Sequence, residues 1–97
     1  CQRAIELGNI IIRGVTSTLV DSSFVLEIRG KGLMIGIELK KDCGNIVTSA
    51  LKKGLLLNVT ANRTIRLLPP LILNDSQAIE LGNNVGKAIN DFQKQGG

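Results

Sequence analysis

The sequence predicts an α/β domain of the α+β type: a four-stranded, mainly antiparallel sheet with its helices on one face, in the order α-β-β-α-β-β-α. Three observations carry that expectation. Apolar residues recur at helical spacing near both ends of the chain, with Ala4, Leu7, Ile11, Val15 and Leu19 at one end and Ala78, Leu81, Val85, Ala88, Ile89 and Phe92 at the other. Between them, Leu33, Ile35, Ile37 and Leu39 alternate with Met34, Gly36 and Glu38, the period of a half-buried strand. The stretch Thr64-Ile65-Arg66-Leu67-Leu68 then runs into Pro69-Pro70, where neither ring nitrogen can donate a ladder hydrogen bond.

The first helix is expected over residues 2–19, with Ile5 and Ile12 widening its stripe. Gly8 and Gly14 weaken it, so it needs tertiary support. Asp21-Ser22-Ser23 breaks the pattern. Residues 24–29 alternate as 33–39 do, and the two form a hairpin about Gly30-Lys31-Gly32. A Gly-x-Gly can also mark a dinucleotide loop, but that loop follows a strand and opens a helix, whereas here strand follows strand. Gly36, inside a strand, marks a place where another backbone or a helix can come close.

After Asp42, Asn45 is placed to cap a crossover helix that buries Ile46, Val47, Ala50 and Leu51. Lys52 and Lys53 complement its C-terminal dipole and Gly54 stops it. Residues 55–59 and 64–68 are the third and fourth strands, joined through Asn62. Ile65, Leu67 and Leu68 read as buried. Asn74 caps the last helix, with Gln77 three residues on as its reciprocal partner. Hairpins on either side of one crossover give the sheet order 1-2-4-3.

The 97 residues form a single domain, 1–97. A chain this small buries roughly 60–65% of its unfolded surface, enough for one core but not for a deep enzyme cleft as well. The net charge of +4 comes from basic residues scattered in ones and twos, and the two Phe are the only aromatics. Both features exclude a nucleic-acid surface, which needs a basic stripe or stacking platforms. No apolar run approaches the length of a membrane span. Cys1 and Cys43 are too few for a metal site, and there is no His to help them. The chain opens on Cys1 and its only methionine is Met34, as expected of a piece of a longer protein.

Arg66 is the candidate binding residue. Flanked by Ile65 and Leu67, it either points to solvent from the polar face of its strand or forms an anion site at a rigid strand end, where its planar fork suits a carboxylate. The interior position of its strand weighs against the plain solvent reading. No lysine is placed to act as a desolvated nucleophile. Lys31, Lys40, Lys41, Lys52, Lys53, Lys87 and Lys94 all fall on turns, polar faces or helix ends. Glu38 reads as a surface or interface charge.

Two segments resemble a known family. Ile28-Arg29-Gly30-Lys31-Gly32-Leu33-Met34-Ile35-Gly36-Ile37-Glu38-Leu39 is similar to the glycine-rich hairpin of class III aminotransferases. Gly54-Leu55-Leu56-Leu57-Asn58-Val59-Thr60, followed by Ile65-Arg66-Leu67-Leu68-Pro69-Pro70-Leu71, resembles the strand pair of that family's small C-terminal domain, in wording nearest its acetylornithine branch. The resemblance implies the small domain of a fold-type I, pyridoxal-phosphate-dependent enzyme that works as a cytoplasmic homodimer. That enzyme would move an amino group between an ornithine-like amine and a 2-oxo acid such as 2-oxoglutarate, in arginine biosynthesis. It implies that Arg66 faces the substrate α-carboxylate, and that the cofactor-binding lysine, aspartate and phosphate loop belong to a large domain, with no cofactor or catalytic residue on this chain. Asn62-Arg63 stands where relatives often have glycine. The competing reading is a standalone α/β module that binds small acids and regulates a partner, since such sheets serve many functions.

Overall fold

A computed structural model gives the architecture and describes residues 2–43, 46, 58–60 and 63–95. In chain order its elements are α1 (Gln2–Thr18), β1 (Val25–Lys31), β2 (Met34–Leu39), β3 (Asn58–Thr60), β4 (Thr64–Leu67) and α2 (Asp75–Lys94). The strands form one sheet in the order β1-β2-β4-β3, with every neighbouring pair antiparallel. This is the order expected from the sequence. The crossover helix expected from Asn45 to Gly54, the first part of the third strand (55–57) and the turn residue Asn62 lie outside the described residues. Ile46 is described; it is fully buried, and its N–H donates to the Cys43 carbonyl at 3.0 Å.

Both described helices serve one core. Leu7, Ile11 and Val15 of α1 and Val85 and Ile89 of α2 are fully buried with Ile35, Ile37, Leu39 and Ile65 of the sheet. Each such side chain contributes about 1.5–3 kcal/mol over an exposed one. Ile5, expected to widen the α1 stripe, is half exposed, and Leu81 is only partly buried. The helices run in the same sense. Arg3, near the start of α1, donates to the Asp75 carboxylate at 2.8 Å and to the Leu73 carbonyl at 3.0 Å. Asn90, late in α2, accepts from the Val20 N–H at 3.0 Å and donates to the Thr18 carbonyl at 2.9 Å, closing the C-terminal end of α1. The capping box opens α2 as expected: Gln77 N–H donates to Asn74 Oδ1 at 2.8 Å, and Asn74 N–H donates to Gln77 Oε1 at 3.0 Å.

Glycine sets how closely the helices approach. A Cβ on Gly82 would overlap the Ile11 carbonyl oxygen and come within 3.0 Å of the Gly14 Cα. One turn on, a Cβ on Gly86 would stand 2.7 Å from the Thr18 Cβ. The glycines that lower α1's intrinsic propensity are thus the ones that let it pack, and Gly8 does the same against the Gly32 carbonyl of the hairpin.

Three expectations need correction. The hairpin loop is Gly32-Leu33, not Gly30-Lys31-Gly32, since Lys31 pairs with Met34. Gly32, at φ 61°, supplies the left-handed residue that a two-residue loop requires, so the strand continues through Gly30 and Lys31. The alternation of the first strand is broken between Val25 and Glu27 by a register shift that leaves Leu26 53% exposed. Leu68, expected in the core, is 76% exposed because the period of two that buries Ile65 and Leu67 turns it outward.

Two predictions follow from these contacts. Gly82→Ala forces a methyl into the α1 backbone and should destabilise the domain by about 1–3 kcal/mol. Gly36→Ala, whose Cβ would meet only Thr64 Cγ2 at 3.9 Å, should shift stability by less than ~0.5 kcal/mol; urea midpoints of the two variants check the contrast. The second concerns acid. Hydrogen bonds from the Ser23 hydroxyl, the Gln93 amide and the Ser23 N–H hold the Asp21 carboxyl below its ordinary value of 3.8. A lowered folded-state pKa gives stability that is present above the unfolded value and lost as pH falls through the folded one. Melting temperatures followed from neutral into acid should therefore fall less steeply on the acid side for Asp21→Asn than for the parent.

Candidate functional site

Register decides which side chains share the face of the sheet that neither described helix covers, called the uncovered face below. Gly36 of β2 stands between Arg29 of β1 and Arg66 of β4, and Arg66 is followed across the sheet by Asn58 of β3. Because alternate residues share a face, Lys31, Met34, Glu38 and Thr64 belong to this face as well. Ile35, Ile37, Ile65 and Leu67 point the other way, into the core. Arg29, Gly30, Lys31, Met34, Gly36, Thr60, Thr64 and Arg66 line a cavity of about 270 Å³. Gly36 contributes only backbone to that row, so the space between the two arginines stays open.

The cations of this face are not equivalent. Arg29 has ion-pair partners on the same surface, with its Nη2 3.8 Å from Glu38 and its Nε 3.8 Å from Glu27. Exposed pairs of this kind contribute about 0–1 kcal/mol, but they answer the charge locally. Glu38 therefore acts here as a surface charge. Arg66 has no carboxylate partner among the described residues. Its Nη2 donates to the Met34 sulfur at 3.1 Å, a weak acceptor. Arg66 is exposed, so its interior strand does not bury it in this domain. What the interior position does is hold the base of the side chain between two hydrogen-bonded neighbours. Arg63, in the preceding loop, lies 3.9 Å from Asp42 and is away from the cavity.

Of the cavity residues, sequence reasoning singled out Arg66 and missed Arg29, Lys31, Met34, Thr60 and Thr64. The missing signal was the hairpin loop: once it is set at Gly32-Leu33, parity alone puts Arg29 and Lys31 on the Arg66 face. A larger cavity of about 370 Å³ lies among Val20, Asp21, Asn90, Asp91, Gln93 and Lys94. Its amide and carboxylate groups are engaged in holding the end of α1 and the turn at Ser22–Phe24 against α2. The described lysines, Lys31, Lys40, Lys41, Lys87 and Lys94, are all exposed. Burial, and secondarily the Asp42 charge, pushes the Cys43 thiol up, which leaves it a core side chain with little thiolate. No group of metal-ligating side chains and no helix long and apolar enough to cross a membrane occurs among the described residues.

Comparison with known proteins gives a consistent answer. The profile of the aminotransferase class-III family matches residues 1–89. The chain is 42% identical over 90 residues to acetylornithine aminotransferase 1 of Bordetella pertussis, covering 93% of this chain and 23% of that one. It is 34% identical over 91 residues to the acetylornithine aminotransferase of Methanothermobacter thermautotrophicus, covering 94% of this chain and 23% of the other. Among solved structures, an ornithine aminotransferase from Plasmodium yoelii superposes with a TM-score of 0.82 at 32% identity, covering 95% of this chain and 25% of that one. The N-acetylornithine aminotransferase of Stenotrophomonas maltophilia K279a also gives 0.82, at 26% identity, over 97% of this chain and 27% of the other. The chain spans about a quarter of the length of these relatives. With a four-stranded antiparallel sheet, the matching hairpin and diproline strand, and a profile match over nearly its whole length, this chain belongs to the class-III aminotransferase family.

Proposed function

We propose that residues 1–97 are the C-terminal small domain of an acetylornithine-type aminotransferase, and that the domain supplies the clamp for the substrate α-carboxylate and part of a lid over the site. One observation carries the reading: Arg66 stands at the centre of the sheet face that neither described helix covers, over an open cavity, with no carboxylate among the described residues to answer its charge. Amino acids and 2-oxo acids both present a planar α-carboxylate that the guanidinium fork can meet bidentately. Covered by a large domain of the same chain, that pair leaves bulk water and strengthens. Leu68, Leu71 and Ile72, directly downstream of β4, are 76%, 47% and 90% exposed and offer apolar surface for that covering domain. The parent enzyme is read as a homodimer that passes the amino group of an ornithine-like donor to 2-oxoglutarate, a step of arginine biosynthesis.

Pyridoxal phosphate, the cofactor the family implies, does not fit the described residues of this chain. A Schiff-base lysine must be desolvated to lose its proton near neutral pH, and every described lysine is exposed. Holding the cofactor is therefore assigned to the large domain. Mixed with pyridoxal phosphate and reduced with borohydride, the 97-residue chain should show no stoichiometric adduct by intact mass. A single adduct on one lysine would contradict the assignment.

The reading itself is tested at Arg66 in the full-length enzyme. Truncating one partner of a buried charge pair costs about 2–5 kcal/mol, so Arg66→Ala should lower kcat/KM for the amino-acid substrate by ~30-fold to several thousand-fold. Arg66→Lys should recover only part, because an ammonium cannot reproduce the bidentate geometry. An amine substrate without an α-carboxylate should lose much less. Arg63→Ala, on the loop beside Asp42, is the control. Intact turnover in Arg66→Ala with lost turnover in Arg63→Ala would overturn the reading.

A further inference from the structure

We infer that Met34 is an oxidative modification site that governs the carboxylate clamp: peroxide converts its thioether to the sulfoxide, whose oxygen then holds the Arg66 guanidinium against the incoming substrate. The inference rests on the reading of Arg66 above and adds to it a control on the same site.

Met34 stands at the start of β2 on the uncovered face, lines the cavity with Arg66 and is 45% exposed. Its sulfur takes the hydrogen bond that Arg66 Nη2 makes among the described residues, at 3.1 Å. A neutral thioether is a weak acceptor, so a carboxylate displaces it at little cost. A sulfoxide is different. Its S–O bond is strongly polar, and its oxygen accepts a short hydrogen bond from a cation. A thioether sulfur carries two lone pairs, so one engaged by Arg66 leaves the other for peroxide to meet. An S–O bond forms as the O–O bond breaks, the sulfur loses two electrons, and the peroxide leaves as water. Rotation about the Cγ–S bond then brings the new oxygen to the guanidinium.

Access and selectivity follow from the same geometry. Any route that lets a carboxylate reach Arg66 admits the smaller peroxide. The described thiol, Cys43, is buried and held in its protonated form by desolvation, so it does not compete for the oxidant. Met34 is the only methionine of the 97 residues, which makes the lesion unambiguous within this domain. Methionine sulfoxide is enzymatically reducible, so the change is reversible.

The test uses the full-length enzyme treated with hydrogen peroxide, with peptide mass mapping of residue 34 and steady-state kinetics on the amino-acid substrate. Oxidation at Met34 should raise KM by ~10-fold, with kcat changed by less than about twofold, because the sulfoxide competes with ground-state binding. Methionine sulfoxide reductase should restore KM. Met34→Leu, compared with its own untreated sample, should show no peroxide-dependent change in KM. If that variant fails to fold, reversal by the reductase on the parent decides the matter. Sulfoxide at residue 34 with unchanged KM overturns the inference, as does an equal KM rise in treated Met34→Leu, or a Met34 that resists peroxide under conditions that oxidise free methionine. The outcomes separate from those of the parent reading. If Arg66→Ala leaves kcat/KM intact, the clamp is wrong; if Arg66→Ala is impaired and the sulfoxide changes nothing, only the control at Met34 fails.

Discussion

Where α1 crosses α2, no side chain separates the two backbones: a Cβ at Gly14 would come within 3.1 Å of the Gly82 Cα, and a Cβ at Gly82 would overlap the Ile11 carbonyl. That contact draws the helices together over Ile35, Ile37, Leu39, Ile65 and Leu67 and fills the core with aliphatic side chains. The described helices therefore cover one face of the sheet and leave the other to polar residues. A bulkier crossing would pry the helices apart and loosen the layer that holds β2 and β4 flat against the core. The position of Arg66 depends on that layer, because the residues on either side of it, Ile65 and Leu67, are anchored there.

The uncovered face has the character of half a site. Its charges are arranged in a row across β1, β2 and β4, with Gly36 keeping the centre low. Arg29 is answered by Glu27 and Glu38 on the same surface, whereas among the described residues Arg66 meets a methionine sulfur and no carboxylate. On the proposed function, a cation so placed meets an anion that the rest of the enzyme delivers; the chain itself spans about a quarter of the length of its relatives. Under the proposed reading, carboxylate recognition and the inferred oxidation of Met34 share one cavity.

Much of this was legible in the chain. Stripes at helical spacing located both described helices, Asn74 and Gln77 announced the cap, and hairpins about a single crossover gave the strand order. Two of the three corrections share a cause: they depend on backbone conformation at single residues. Gly30 and Gly32 are equivalent in composition, yet only Gly32 takes positive φ, and that choice shifts the loop and brings Arg29 and Lys31 onto the site face. The irregularity between Val25 and Glu27 has no glycine or proline to mark it, so Leu26 gave no sign that it would be exposed. Leu68 was misplaced because an apolar run was allowed to outweigh the period of two. Arg66 stands out in the sequence by its contrast with its neighbours, but its contact Met34 does not, since a methionine in a strand reads as ordinary apolar filling.

The central claim is that the uncovered face closes on a substrate carboxylate through Arg66. The most direct measurement is a crystal structure of the full-length enzyme with an unreactive substrate amino-acid analogue bound. The account predicts the α-carboxylate within hydrogen-bond distance of the Arg66 guanidinium, with the Met34 sulfur displaced from Nη2 and Gly36 beneath the ligand. A carboxylate bound elsewhere, with Arg66 still directed at Met34 or at solvent, would contradict it.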